Sequence, residues 1–205
     1  MEAQKMRSLT LMLCFLWMAS ATAADQADTE TTSTSHWLEA FKDQEELFSF
    51  EGYRIIRYRS PTPQGADGAK TISTQTLQQM LHSDQPPRLL NVQPVRWQHG
   101  HFLQQEPFLQ IPGSRWTPNV GMGELDEGWE KYFRYHLEVV TNHQQNAALV
   151  LYCRADCWMS WNAIKRAASW GYTNLYWYRD GVDGWRDAGL KMHTGTPEPF
   201  PVRNR

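Results

Sequence analysis

The sequence predicts an α/β fold in which a parallel sheet carries helices on both faces, behind an N-terminal extension. Short apolar runs of strand length alternate with helical segments through the second half of the chain, and such alternation implies crossover connections and parallel strands. The run Ala148-Leu149-Val150-Leu151-Tyr152 is apolar throughout, as a strand covered on both sides would be. A length of 205 residues with 41% hydrophobic side chains suffices for one domain with its own core.

The chain opens with a basic stretch (Lys5, Arg7), an apolar run from Leu9 to Met18 broken only by Thr10, and small residues from Ala19 to Ala24. This pattern predicts a secretory signal peptide, residues 1–23, because the apolar run is too short to span a bilayer. Cleavage removes Cys14, so the exported chain keeps Cys153 and Cys157, and it carries a net charge of −3, with 18 basic and 21 acidic residues. That balance, like the sequence pI of about 6.4, excludes a duplex nucleic-acid binder, which needs a basic stripe against the phosphates. With the signal removed, no membrane association is expected.

Residues 24–68 read as a tether and N-terminal extension. Residues 24–36 are polar and without apolar period. A short helix and turn are expected over 37–50, and the prolines and glycines of 60–68 mark a loop. A domain over 69–192 follows, with strands expected at 69–72, 88–92, 111–116, 148–152 and 174–178. Helices are expected at 74–81, about 125–140, 158–170 and 180–188. The tail, 193–205, holds three prolines and reads as irregular.

In an open parallel sheet the ligand site lies at the carboxyl ends of the strands. The 148–152 strand delivers Cys153 to that edge, and a helix follows. Backbone N–H groups and the helix dipole at such a turn favour thiolate over thiol. In an oxidising compartment, two cysteines four residues apart either pair or are kept apart for chemistry. Redox exchange and a plain disulfide staple both fit. A copper-like set of two sulfurs and an imidazole lacks a placed third ligand, so neither metal nor cofactor is assigned.

Around the cysteines, Arg154, Ala155, Asp156, Trp158, Met159 and Ser160 are candidate loop or substrate-binding residues. Asp156 is read as the N-cap of the following helix. Trp158 and Trp161 flank the loop as a lid, an aromatic platform, or core packing. Arg54, Arg57 and Arg59 are expected on a solvated strand face. Asp180, Asp183 and Gly184 read as a turn and helix start.

Strand, cysteine, short loop, helix and a closing Gly184-Trp185-Arg186-Asp187-Ala188-Gly189-Leu190 resemble a rhodanese domain. Gly100-His101 and Ile111-Pro112-Gly113 resemble a split Gly-His-Ile-Pro-Gly segment. A narrower likeness rests on Gly52-Tyr53-Arg54, Tyr58-Arg59-Ser60-Pro61, Pro118-Asn119-Val120-Gly121, Asp156-Cys157-Trp158-Met159-Ser160-Trp161-Asn162-Ala163, Gly171-Tyr172-Thr173-Asn174 and Asp183-Gly184-Trp185. These segments resemble the rhodanese-like "CXXCW motif" proteins associated with PQQ-dependent catabolism.

The resemblance implies a periplasmic setting beside quinoprotein alcohol oxidation. A PQQ dehydrogenase system or its electron-transfer partner, and a small sulfur donor, are the implied partners. It also implies sulfur transfer: Cys153 stands at the nucleophile position, Arg154 is the cation inside the loop, and Cys157 can resolve a persulfide. The alternative is a non-catalytic accessory protein with a structural or redox Cys153–Cys157 disulfide. The sequence departs from the rhodanese pattern at Trp158, often arginine there, and at Asn91-Val92-Gln93, where Asp-Val-Arg is usual. Both departures remove charge.

Overall fold

The computed structural model describes residues 36–201, so the expected signal peptide and residues 24–35 of the tether lie outside the described residues. Strands β1 (Ala69–Thr71), β2 (Arg88–Asn91), β3 (Arg96–Gln98), β4 (His101–Leu103), β5 (Phe108–Gln110), β6 (Ser114–Trp116), β7 (Leu149–Tyr152), β8 (Leu175–Tyr178) and β9 (His193–Gly195) follow in chain order. The helices are α1 (Thr74–Leu81), α2 (Glu127–Thr141), α3 (Trp158–Ser169) and α4 (Gly181–Asp187). Five strands form one parallel sheet in the order β1-β8-β7-β2-β6.

The period-two alternation of β7 divides the core. Leu149 and Leu151 join Leu90 and Trp177 under α2 and α3, whereas Val150 and Tyr152 join Leu89 and Tyr178 under α1 and α4. Both faces of the central strand are therefore covered, which is why its sequence is apolar throughout. Helix starts follow local chemistry: the Ser73 hydroxyl accepts from the Thr76 amide (3.1 Å), and the Asp126 carboxylate accepts from that of Trp129 (3.0 Å).

Two expectations are corrected, the strand at 111–116 and the irregular tail, and one hairpin is added. The strand expected over 111–116 begins only at Ser114, because Ile111-Pro112-Gly113 forms a turn and Pro112 has no N–H for a ladder. Gly100-His101 belongs to a hairpin: β3 pairs antiparallel with β4 across His99 (φ 49°) and Gly100 (φ 79°), the two positive-φ positions of a tight turn. The tail is not irregular at its start, since β9 pairs antiparallel with β5. The expected helix near residue 37 is a 3-10 helix over His36–Leu47. Among the described residues no helix is long and apolar enough to cross a membrane.

Beyond β9 the tail is held along α2. Arg115 donates twice to the Glu198 carboxylate (both 2.8 Å), and the Tyr132 hydroxyl donates to the Glu198 carbonyl (2.9 Å). Phe200 packs on Tyr132 and Trp97, with ring centroids 4.4 and 4.7 Å apart. His136 is buried, and its Nε2 donates to the Pro199 carbonyl (2.9 Å) while Nδ1 lies 4.0 Å from the Glu198 carboxylate.

Burial holds the His136 pKa below its ordinary value, against the opposing pull of Pro199 and Glu198. The unfolded chain therefore takes up this proton first as the pH falls. The stability contributed by the neutral ring is complete above pH ~6.5 and is lost as the pH drops from there through the folded-state value. Urea midpoints are expected to fall between neutral and mildly acidic pH, and His136→Gln is expected to flatten that slope. An unchanged slope in the variant would place the acid sensitivity elsewhere.

The N-terminal extension is built onto α3. Asn162 is fully buried, and its Oδ1 accepts from the Arg54 amide (3.0 Å) while Nδ2 donates to the carbonyls of Arg54 (2.8 Å) and Gly121 (2.9 Å). The Trp161 indole donates to the Gly65 carbonyl (3.1 Å). Phe41 and Phe48 meet the Trp158 ring edge-on at 5.0 and 5.4 Å.

Candidate functional site at the cysteine loop

β7 ends at Tyr152, and the chain turns through residues 153–157 into α3. Cys153 and Cys157 form a disulfide with their Cα atoms 6.1 Å apart, an ordinary span for such a bridge. Both residues are buried. The loop between them reverses because Asp156 adopts a left-handed conformation (φ 52°). On one side the Cys153 carbonyl accepts from the Val182 amide (3.0 Å). A Cβ at Gly181, whose φ is +56°, would collide with that carbonyl, so only glycine permits this approach.

The other side is covered by a strap of the extension. Arg59 bridges antiparallel to Cys157, the Ser60 amide donates to the Asp156 carbonyl (3.0 Å), and the Trp158 amide donates to the Tyr58 carbonyl (2.8 Å). The Trp158 indole N–H reaches both the Ser60 hydroxyl (3.0 Å) and the Pro61 carbonyl (3.1 Å). Trp158 is thus a buried anchor for the strap, which selects core packing among its three readings. Trp158→Phe keeps an aromatic ring but removes the N–H and part of the buried indole, so it is expected to cost about 2–4 kcal/mol through the lost hydrogen bonds and the cavity left behind. A loosened strap is also expected to speed reduction of the disulfide by dithiothreitol, followed by thiol alkylation. An unaltered reduction rate would show that the strap does not control access.

Two readings of charged residues are corrected here. Asp156 does not cap α3: the cap position is Cys157 and has no side-chain cap bond, and the Asp156 carboxylate lies 3.9 Å from Arg179 instead. Arg54 is not on a solvated face. It is 2% exposed, donates to the Ile56 carbonyl (2.9 Å) and the Ser60 hydroxyl (3.2 Å), and lies 4.9 Å over the Trp158 ring. Burial lowers its pKa, and neighbouring Arg57 lowers it further. Arg57 and Arg59 are exposed, and Arg59 pairs with Asp183 (3.2 Å).

Arg154 is exposed within the loop, where it donates to the Gln93 side chain (3.1 Å) and approaches the Phe108 ring (5.8 Å). Gln93, at the end of the Asn91-Val92-Gln93 segment, thus orients the loop cation. Both residues line a pocket of about 290 Å³ together with Glu106, Leu109, Asp183 and Arg186. The Ala155 amide donates to the Asp183 carboxylate (3.1 Å). Met159 and Ser160 are buried below the loop, and the Ser160 hydroxyl donates to the Cys157 carbonyl (3.0 Å) and accepts from the Trp177 indole (2.9 Å). These two residues support the loop from beneath.

Upstream, the Tyr152 hydroxyl donates to Ser114 (2.6 Å) and accepts from the Ile111 amide (3.2 Å). Burial drives its pKa strongly upward, so the phenol keeps its proton at working pH. His101 lies exposed on β4. Among the described residues no three His, Cys, Asp or Glu side chains are grouped as a metal-ligand set.

The residue that the sequence did not single out for the site is Asp183, which meets Ala155, Arg59 and Arg186. Its sequence neighbourhood signals only a turn and helix start.

A five-stranded parallel sheet flanked by helices, with a cysteine at the carboxyl edge of its central strand, defines a rhodanese-type architecture. The rhodanese-like domain family matches residues 73–188, more than half of the chain, and the chain belongs to that family. No curated protein matches it in sequence. Among solved structures it is similar to a thiosulfate sulfurtransferase from Pseudomonas aeruginosa, at 16% identity and a TM-score of 0.47. That match covers 65% of this chain and 22% of the other. It is also similar to a polysulfide-sulfur transferase homodimer from Wolinella succinogenes, at 13% identity and a TM-score of 0.40, over 62% of this chain and 79% of that one.

Proposed function

We propose that the protein is exported to the periplasm and carries thiol and persulfide chemistry on Cys153 and Cys157, in support of PQQ-dependent alcohol oxidation. The likeness to the CXXCW branch of the rhodanese-like family supports the setting. The observation that carries the chemistry is the disulfide itself. Cysteines that close on each other at the carboxyl edge of the central strand can also resolve a sulfur adduct on either partner.

With the pair reduced, the Cys153 thiolate attacks the outer sulfur of an alkyl persulfide, and after proton transfer Cys153 holds a persulfide anion while the donor leaves as a thiol. Cys157 then attacks Cys153 Sγ, the disulfide forms, and the outer sulfur departs as hydrosulfide with the Cys157 proton. The two thiols supply the two electrons that reduce the transferred sulfur. A dithiol reductant resets the pair.

A second reading, a non-catalytic accessory protein that binds a quinoprotein dehydrogenase or its electron-transfer partner, is favoured by one observation: both sulfurs lie buried beneath the strap. Intact-mass measurement of periplasmic protein separates the two, with and without reductant and after exposure to an alkyl persulfide. Reduced protein that returns to the disulfide mass with release of hydrosulfide, and that instead retains about 32 Da on Cys153 when Cys157 is replaced by serine, supports sulfur carriage. A pair that stays at the disulfide mass throughout supports the accessory role. An unprocessed N-terminus on the purified protein would overturn export. A deletion strain that grows normally on short-chain alcohols would overturn the PQQ link.

A further inference from the structure

Three donors converge on one carboxylate at the mouth of the cysteine loop. The Ala155 amide donates to Asp183 Oδ2 (3.1 Å), the Arg59 guanidinium donates to the same oxygen (3.2 Å), and Arg186 donates to Oδ1 (3.0 Å). A backbone amide and two guanidinium groups around a single anion form the arrangement by which proteins hold oxyanions. Here the anion is part of the chain, and its side chain is 19% exposed. Ala155 lies between the two cysteines, so the occupied amide belongs to the loop beside which any sulfur donor must react. The pocket lined by Arg154 and Gln93 opens against the same carboxylate.

The geometry points to Asp183 as the specificity-determining residue of the cysteine loop: a resident anion that fills the loop's oxyanion donors, excludes free sulfur oxyanions and leaves thiol-borne sulfur as the substrate class. This inference rests on the sulfur-carriage reading above for its substrate, and on geometry alone for its anion site. Transfer from thiosulfate to the Cys153 thiolate forms a persulfide anion and releases sulfite, so a dianion must be neutralised at the loop mouth as the S–S bond breaks. Asp183 occupies the donors that would do this and repels the dianion. Transfer from an alkyl persulfide releases a thiol, which needs no such donors.

The test uses the reduced mature chain as wild type, Asp183→Ala and Asp183→Ser, each checked for folding by circular dichroism. The serine variant, with a shorter acceptor, carries the test if alanine does not fold. Sulfate is titrated while the Ala155 amide is followed by NMR. The variants are expected to bind sulfate about tenfold or more tightly than wild type, as befits charge-assisted donors released from an internal partner.

Sulfur loading is read in a Cys157→Ser background, where the persulfide persists: after thiosulfate a gain of about 32 Da on Cys153 is expected only with the Asp183 substitutions, and after an alkyl persulfide it is expected with Asp183 intact as well. Folded variants whose Ala155 amide ignores sulfate, or a wild type that binds sulfate as tightly, overturn the inference. If the variants bind sulfate but neither they nor wild type accept sulfur from the alkyl persulfide, the anion site stands and the sulfur-carriage reading falls.

Discussion

Cys153→Ser is expected to abolish sulfur loading, and Cys157→Ser to make it persist. In the first variant no thiolate remains at the carboxyl edge of β7 to attack a donor. In the second, the persulfide on Cys153 has lost the neighbouring thiol that would expel its outer sulfur as hydrosulfide. After brief exposure to an alkyl persulfide and removal of excess, intact mass should read about one sulfur on Cys157→Ser, none on Cys153→Ser, and the disulfide on wild type. The two variants should lose similar stability, because each removes the same small ring, worth about 2 kcal/mol of chain entropy. Sulfur retained on Cys153→Ser, or equally short-lived on both, would sink the assignment of nucleophile and resolving thiol.

Asn162→Ala should cause the largest stability loss of any single polar substitution proposed here, about 3–5 kcal/mol. One side chain serves the amide and carbonyl of Arg54 and the carbonyl of Gly121, all from within the core. Truncation leaves those three backbone groups without their partner in a space that water enters only at the cost of loosening the extension from α3. For a domain of this size the melting temperature should fall by roughly 10 °C. Limited proteolysis should then cut within residues 48–65 before it cuts the sheet. A loss under about 1 kcal/mol would mean that the extension is held mainly by its aromatic contacts.

The parts of the fold written in contiguous residues were legible. β7 is an unbroken apolar run, α1 starts after a serine that caps it, and Cys153 follows a strand and precedes a helix, so the edge position of the candidate nucleophile could be derived locally. The hairpin of β3 and β4 carried a usable signal, His99-Gly100 between two three-residue strands, but such short strands show no clear period.

The rest depends on residues that meet from afar. β5 finds β9 across the whole intervening domain, and neither segment shows this alone. Arg54 reads like its neighbours Arg57 and Arg59, and only the arrival of Trp158 and Phe48 buries it. Asp183 sits in a turn-like sequence, and two of its three donors, Arg59 and Ala155, come from distant segments while Arg186 is its neighbour on α4. Asn162 did carry a hint: a lone amide among Trp158, Met159, Trp161, Ala163 and Ile164 on α3 needs buried partners, though the sequence does not name them.

The strap over the cysteine pair also imposes a chronology. Its hydrogen bonds to Trp161, Trp158 and Asn162 join residues 96, 98 and 108 positions apart, so none can form before α3 has been made and delivered. Until then both thiols face whatever oxidant or sulfur compound surrounds the newborn chain. Docking of the strap then closes over the outcome. Every later exchange at Cys153 and Cys157, with a sulfur donor or with a reductant, therefore passes through a loosening of that strap.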